Sequence, residues 1–149
     1  MIKIDEKDRK ILEVLKYHAE YTTRQIAKKL VLPITTVHNR IRKLRKEKII
    51  KKYTVELDFE KLDKNFLVYI LISANIPLLM AKKKTQYDLA KTLKRFDFVE
   101  RVDIVAGGTD LITLVRVKDV AEFDKVLLSK LQGLEGIDRT QSLIVLHRG

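Results

Sequence analysis

No cysteine occurs in this chain of 149 residues. A disulfide framework and a thiolate zinc site are therefore excluded, and His18, His38 and His147 form no ligand pair at helical spacing, so neither a metal nor a cofactor is expected. Long apolar runs are missing as well. The longest, residues 66–72, falls far short of a membrane span, and the opening Met-Ile-Lys-Ile-Asp-Glu is too polar for a signal peptide. A cytoplasmic protein with no membrane partner is expected. Few Asn and Gln beside many Lys lean towards a thermophile's composition.

Acids are scarce where it matters most. Residues 40–52 hold eight bases (Arg40, Arg42, Lys43, Arg45, Lys46, Lys48, Lys51, Lys52) against Glu47 alone. The net charge of +11 is also uneven, since residues 1–64 carry 18 Lys/Arg and 10 Asp/Glu while the remainder carries 13 and 10. A solvated surface helix interleaves acids for pairing, whereas a helix with one apolar stripe and a dense positive field is shaped for a polyanion. Double-stranded DNA is the partner this predicts.

The preceding residues supply a frame for such a helix. Near Asp5 a first helix can start, with Ile11, Leu12 and Leu15 on one face and Asp8 at the positive end of its dipole. Thr22 and Gln25 have capping-box spacing ahead of Ile26, Ala27 and Leu30. After Pro33, apolar residues recur at Ile34, Val37, Ile41 and Leu44, so Thr35, Asn39, Arg42 and Lys46 share the opposite face. Ile49 to Leu57 alternates in part and reads as a strand pair or wing.

Three short helices and a wing make a winged helix-turn-helix over residues 1–57, with the last helix in the major groove. Thr35, Thr36, His38 and Asn39 are then the candidate base readers; Arg42, Lys43, Lys46, Lys51 and Lys52 neutralise phosphate. The plain alternative makes the two threonines helix-start residues and His38 an exposed histidine. Arg40, beside the buried stripe, is expected to contact backbone or phosphate rather than a base.

Residues 58–65 are charged and aperiodic and read as a linker. From residue 66 the pattern changes to strand (66–72), helix (87–96), strand (99–106), strand (Leu111–Val117), helix (120–134) and strand (143–146). That order is a ferredoxin-like βαββαβ domain over 66–149, so the fold class is α+β. Its two helices cover one sheet face only, yet the first and third strands are apolar on both sides. A second copy of the same sheet is the simplest cover, which predicts a homodimer.

Taken together the residues resemble the Lrp/AsnC, or feast/famine, family of transcriptional regulators, and an archaeal member is expected. The front carries Ile4-Asp5, Asp8, Ile11-Leu12, Ile26-Ala27, Leu30, Val37-x-x-Arg40-Ile41, Leu44 and Ile49-Ile50. The back carries Gly107-x-x-Asp110, then Gly136-Ile137, Thr140 and Ser142. The resemblance implies dimers that assemble into tetramers or octamers through a RAM-type domain, with an amino-acid effector bound near Gly107, Gly108, Thr109, Asp110 and Ser142. Glycines there admit a ligand's close approach and Asp110 suits an α-ammonium; the alternative is a tight turn in which Asp110 bonds backbone.

The chain departs from the family pattern in three places. Lys48 stands where glycine is usual, Pro33 where a polar N-cap is usual, and Ser142 where threonine is common. Two other functions stay open at this point. Siroheme decarboxylase subunits look similar in both domains, although no compact His, Tyr or Arg constellation nominates a catalytic residue here. A low-specificity architectural DNA-binding protein shares the charge.

Overall fold

In the computed structural model, which describes residues 3–147, Asp5 accepts the N–H of Asp8 at 2.9 Å and opens α1 (Glu6–Tyr17) with a reciprocal capping box. Thr22 and Gln25 form a second such box at the start of α2 (Thr23–Leu30). No side chain caps α3 (Ile34–Lys46), which follows Pro33; the ring's fixed φ of −58° turns the chain into the helix instead. Ile11, Val14, Leu15, Ile26, Ala27, Val37 and Leu44 form the core beneath the three helices. They belong to the first of two compact units, Met1–Leu57 and Asp58–Gly149.

Both helix exits of this unit use left-handed residues that are not glycine. At the end of α2, Val31 sits at φ 53° and ψ 49° while Leu32 N–H bonds back to Ala27 O at 3.0 Å. After α3, Lys48 sits at φ 56°, with its N–H on Arg45 O and the N–H of Ile49 on Leu44 O. This is a Schellman closure, so α3 ends without the glycine usual at that place. The expected strand pair over 49–57 is absent. Residues 51–58 run without a ladder partner, and Tyr53, Val55 and Leu57 remain exposed.

The second unit contains β1 (Phe66–Ala74), α4 (Ile76–Ala81), α5 (Gln86–Leu93), β2 (Val99–Ile104), β3 (Leu111–Val117), α6 (Val120–Val126) and β4 (Ile137–Ile144). Its sheet is antiparallel, ordered β2-β3-β1-β4, as the βαββαβ reading requires. Three details differ from the sequence expectation. The short helix α4 is additional, opened by the Asn75 side chain on Leu78 N–H. A π-helical turn, Leu127–Leu131, replaces the second half of the long helix expected over 120–134. Finally β4 begins at Ile137 rather than 143, because it pairs along nearly the whole length of β1, from Ala74 to Val68.

Register sorts the sheet into two faces. Val68, Ile70 and Ile72 stand with Leu111, Val115 and Val117 under Leu89, Leu93, Phe123 and Leu131, forming the second core. Tyr69, Leu71, Ile112, Leu114 and Leu143 lie on the other face, where no helix of this unit covers them and Arg101 and Asp103 flank a shallow hollow of about 330 Å3. Residues 58–65 are tied to this unit. The Arg116 guanidinium lies 3.6 Å from the centre of the Phe59 ring, donates to Lys64 O and pairs with Glu100, and Lys118 pairs with Asp63.

Two turn residues give opposite expectations for stability. Gly136 adopts φ 97°, and a Cβ there would lie 2.7 Å from a Leu79 methyl carbon, so Gly136→Ala should destabilise the second unit by roughly 1–3 kcal/mol in urea unfolding. Val31 is a β-branched residue in left-handed backbone and 90% exposed, so it loses nothing by truncation. Val31→Gly should stabilise the first unit, by about 1 kcal/mol by the same measurement.

Candidate functional site

The buried stripe of α3 determines what the helix shows outward. Val37 and Leu44 are fully buried and Ile41 half-buried, which turns Thr35, His38, Asn39, Arg42, Lys43 and Lys46 to solvent and leaves Thr36 half-buried at the margin. Lys51 and Lys52 follow, exposed on the extended segment. Every residue read from the sequence as DNA-facing is thus accessible, and eight of the nine are exposed. Among the described residues none of the five cations in that set makes an ion pair.

Arg40 behaves differently, and not as expected. Among the described residues its hydrogen bonds go to an acid pair rather than to backbone; Nη1 donates to Asp5 Oδ2 and, at 2.9 Å, to Asp8 Oδ1. These carboxylates are the two halves of the capping box of α1. The Asp8 side chain is 1% exposed, so Arg40 both neutralises a buried charge and fixes α3 against the start of α1. The Asp8 N–H and then the Arg40 guanidinium hold the Asp5 carboxyl below the usual carboxylate range.

Alongside α3 lies a hollow of about 670 Å3 that the sequence pattern did not disclose. It brings Arg45, Tyr21 and Tyr53 beside Arg42 and Lys46. Arg45 was visible in the basic run but not assigned a role; the tyrosines carried no signal, since their meeting depends on how the segment after α3 folds back.

In the second unit the glycine turn joins β2 to β3. Gly107 adopts φ 146°, while Gly108 and Thr109 line a hollow of about 350 Å3 with Leu71, Ser73, Arg139 and Gln141. Asp110 is engaged internally: its carboxylate accepts Ala74 N–H at 2.8 Å and Gln86 Nε2–H at 2.7 Å. Thr109 donates its hydroxyl to Ile72 O. Ser142 pairs with Ile70, on the helix-covered side, and is not in the wall of that hollow. Arg139 and Gln141 are, two positions the sequence reading passed over because strand β4 was placed too late.

Among the described residues no group of acids and histidines could hold a metal ion, and no helix is long and apolar enough to cross a membrane. Basic helix, capped three-helix frame and four-stranded sheet together define a DNA-binding transcriptional regulator of helix-turn-helix type. Comparison with known proteins agrees. Residues 4–51 match the winged helix-turn-helix DNA-binding family and residues 74–148 the Lrp/AsnC ligand binding domain. A helix-turn-helix transcriptional regulator of Pyrococcus horikoshii is 33% identical over 141 residues, spanning 95% of this chain and 91% of that one. The regulator FL11 of the same organism is 30% identical over 145 residues, spanning 97% and 91%. Escherichia coli AsnC superposes with a TM-score of 0.83 at 26% identity over 99% of this chain and 95% of its own. A Neisseria meningitidis regulator solved with L-Met superposes at 0.87, with 22% identity over 97% and 91%. The chain belongs to the Lrp/AsnC family.

The Arg40 bridge sets a pH dependence with a definite sign. Because the Asp5 carboxyl titrates lower in the folded protein than in the unfolded chain, its contribution is complete above about pH 4 and lost as pH falls through the folded value. The unfolding midpoint in urea should therefore drop more steeply as pH falls below about 4 in the wild type than in Asp5→Asn. Arg40→Gln, which strands the buried Asp8, should cost roughly 3 kcal/mol at pH 7.

Proposed function

We propose that this regulator reads DNA through Thr35, Thr36, His38 and Asn39 while Arg42, Lys43, Lys46, Lys51 and Lys52 neutralise phosphate. The observation that carries this reading is the exposed positive face of α3, free of ion pairs among the described residues and set on a buried Val37–Leu44 stripe. Short polar groups lie near the helix start, where they reach base edges, and cations dominate the later turns, where backbone runs past. Residues 1–57 act as the DNA-binding domain and residues 66–149 as the dimerisation and effector domain, with 58–65 between them in sequence. The protein works by binding, not catalysis, in the cytoplasm.

The uncovered sheet face supports a homodimer, since Tyr69, Leu71, Ile112, Leu114 and Leu143 gain most when a like surface covers them. Two copies of α3 then address two half-sites and combine modest affinities. An amino acid or related effector acts at the Gly107–Asp110 turn. There Gly108 and Thr109 admit the ligand, Arg139 offers a cation for a carboxylate, and Asp110 holds the turn to Ala74 and Gln86. The L-Met complex of the Neisseria relative supports an amino-acid ligand on this scaffold.

Selection of bound genomic fragments, with and without an amino-acid mixture, would identify an operator on which single substitutions can be compared. Asn39→Ala should cut the preference for operator over random duplex by about 1–3 kcal/mol, whereas Lys46→Ala should weaken both alike. Equal losses on both duplexes from Asn39→Ala would instead favour an architectural protein.

A further inference from the structure

We propose that the hollow beside α3 is a seat for a nucleotide unit, its phosphate on Arg42, Arg45 and Lys46 and its ring system against Tyr21, Tyr53 and the apolar floor. Size comes first. At about 670 Å3 the space far exceeds a bare phosphate and falls within the range of small-molecule sites. Charge comes next. Three cations line it, no Asp or Glu does, and none of the three is ion-paired among the described residues. Like charges gathered in one concavity repel each other until an anion enters, and the curved wall focuses their field on it.

The remaining walls argue against a simple inorganic ion. Leu15 and Ile41 provide an apolar floor, which gains nothing from phosphate alone. Tyr21 is held in place by stacking on His18, with ring centres 4.4 Å apart and planes 11° from parallel. The Arg45 guanidinium lies over the Tyr53 ring, its carbon 6.0 Å from the ring centre, which keeps cation and ring side by side. Flat apolar rings beside unpaired cations match the two ends of a nucleotide, because tyrosine stacks on any base or packs on its sugar while arginine binds phosphate. Thr23, first residue of α2, adds the positive end of that helix's dipole to the same wall.

Such a unit can come from a free nucleotide or from the backbone of bound DNA. His38, Arg42 and Lys46 line the seat and belong to the DNA face of α3, so a free nucleotide in the seat displaces DNA. This consequence rests on the DNA reading above; the seat itself does not. It would give the regulator a response to ligand independent of the Gly107–Asp110 turn.

Calorimetry on the full chain with ATP, inorganic phosphate and adenosine tests the seat, and fluorescence anisotropy with operator and random duplexes tests the source. Arg45→Gln and Tyr53→Ala serve as variants, both at exposed positions outside the core. ATP should bind at least tenfold more tightly than phosphate, each variant should weaken it about tenfold, and ATP should displace duplex at concentrations matching its own binding. If ATP does not bind but both variants weaken operator and random duplex alike, with Arg45→Gln lowering the salt slope by about one, the DNA backbone is the occupant. Equal affinity for ATP and phosphate, or variants that leave both ATP and duplex binding unchanged, would overturn the proposal. ATP binding without any duplex binding would instead remove the DNA reading and keep the seat.

Discussion

The contact between Arg40 and the two acids at the start of α1 is the constraint on which the first unit depends. Asp5 and Asp8 are already engaged with each other's backbone N–H, so the guanidinium meets a preorganised pair of carboxylates at the positive end of a helix dipole. One basic residue of α3 is thereby used to fix the helix. The other basic residues of α3 make no ion pair among the described residues. Charge that holds the fold and charge that serves the partner are separated by one position in sequence, Arg40 against Arg42, and by the width of the helix in space.

The second unit follows from a different shortage: its helices pack on one side of the four strands and leave Tyr69, Leu71, Ile112, Leu114 and Leu143 without a helix over them on the other. Alternation along β1 and β3 sends Val68, Ile70 and Ile72 into the core and Tyr69 and Leu71 outward, so both faces carry apolar groups. Near the end of the central strand β3, Arg116 is buried beneath Phe59 and bonded to Glu100 and Lys64, which attaches residues 58–65 to this unit.

Much of this was legible beforehand for identifiable reasons. The Thr22/Gln25 box, the Val37, Ile41, Leu44 spacing and the Leu111–Val117 strand are local patterns, and local patterns report on bonds three or four residues apart. The misses involve partners distant in the chain. A strand over 49–57 needs a neighbour that the unit does not supply, and β4 starts early because β1 offers it a full edge. The site divides the same way: exposure of Thr35, Asn39 and Lys46 follows from helical period, but the engagement of Asp110 by Ala74 and Gln86 follows from none.

By itself the sequence determined where the three helices of the first unit begin, which face of α3 is basic, and the βαββαβ order of the second half, since these depend on periodicity, capping and charge within a few residues. Only the tertiary structure decided that Arg40 is a brace, that Lys48 ends α3 in a left-handed turn, and that Arg45, Tyr21 and Tyr53 enclose a hollow. Those outcomes depend on which distant groups come within bonding distance, and one chain's linear pattern does not encode that separation.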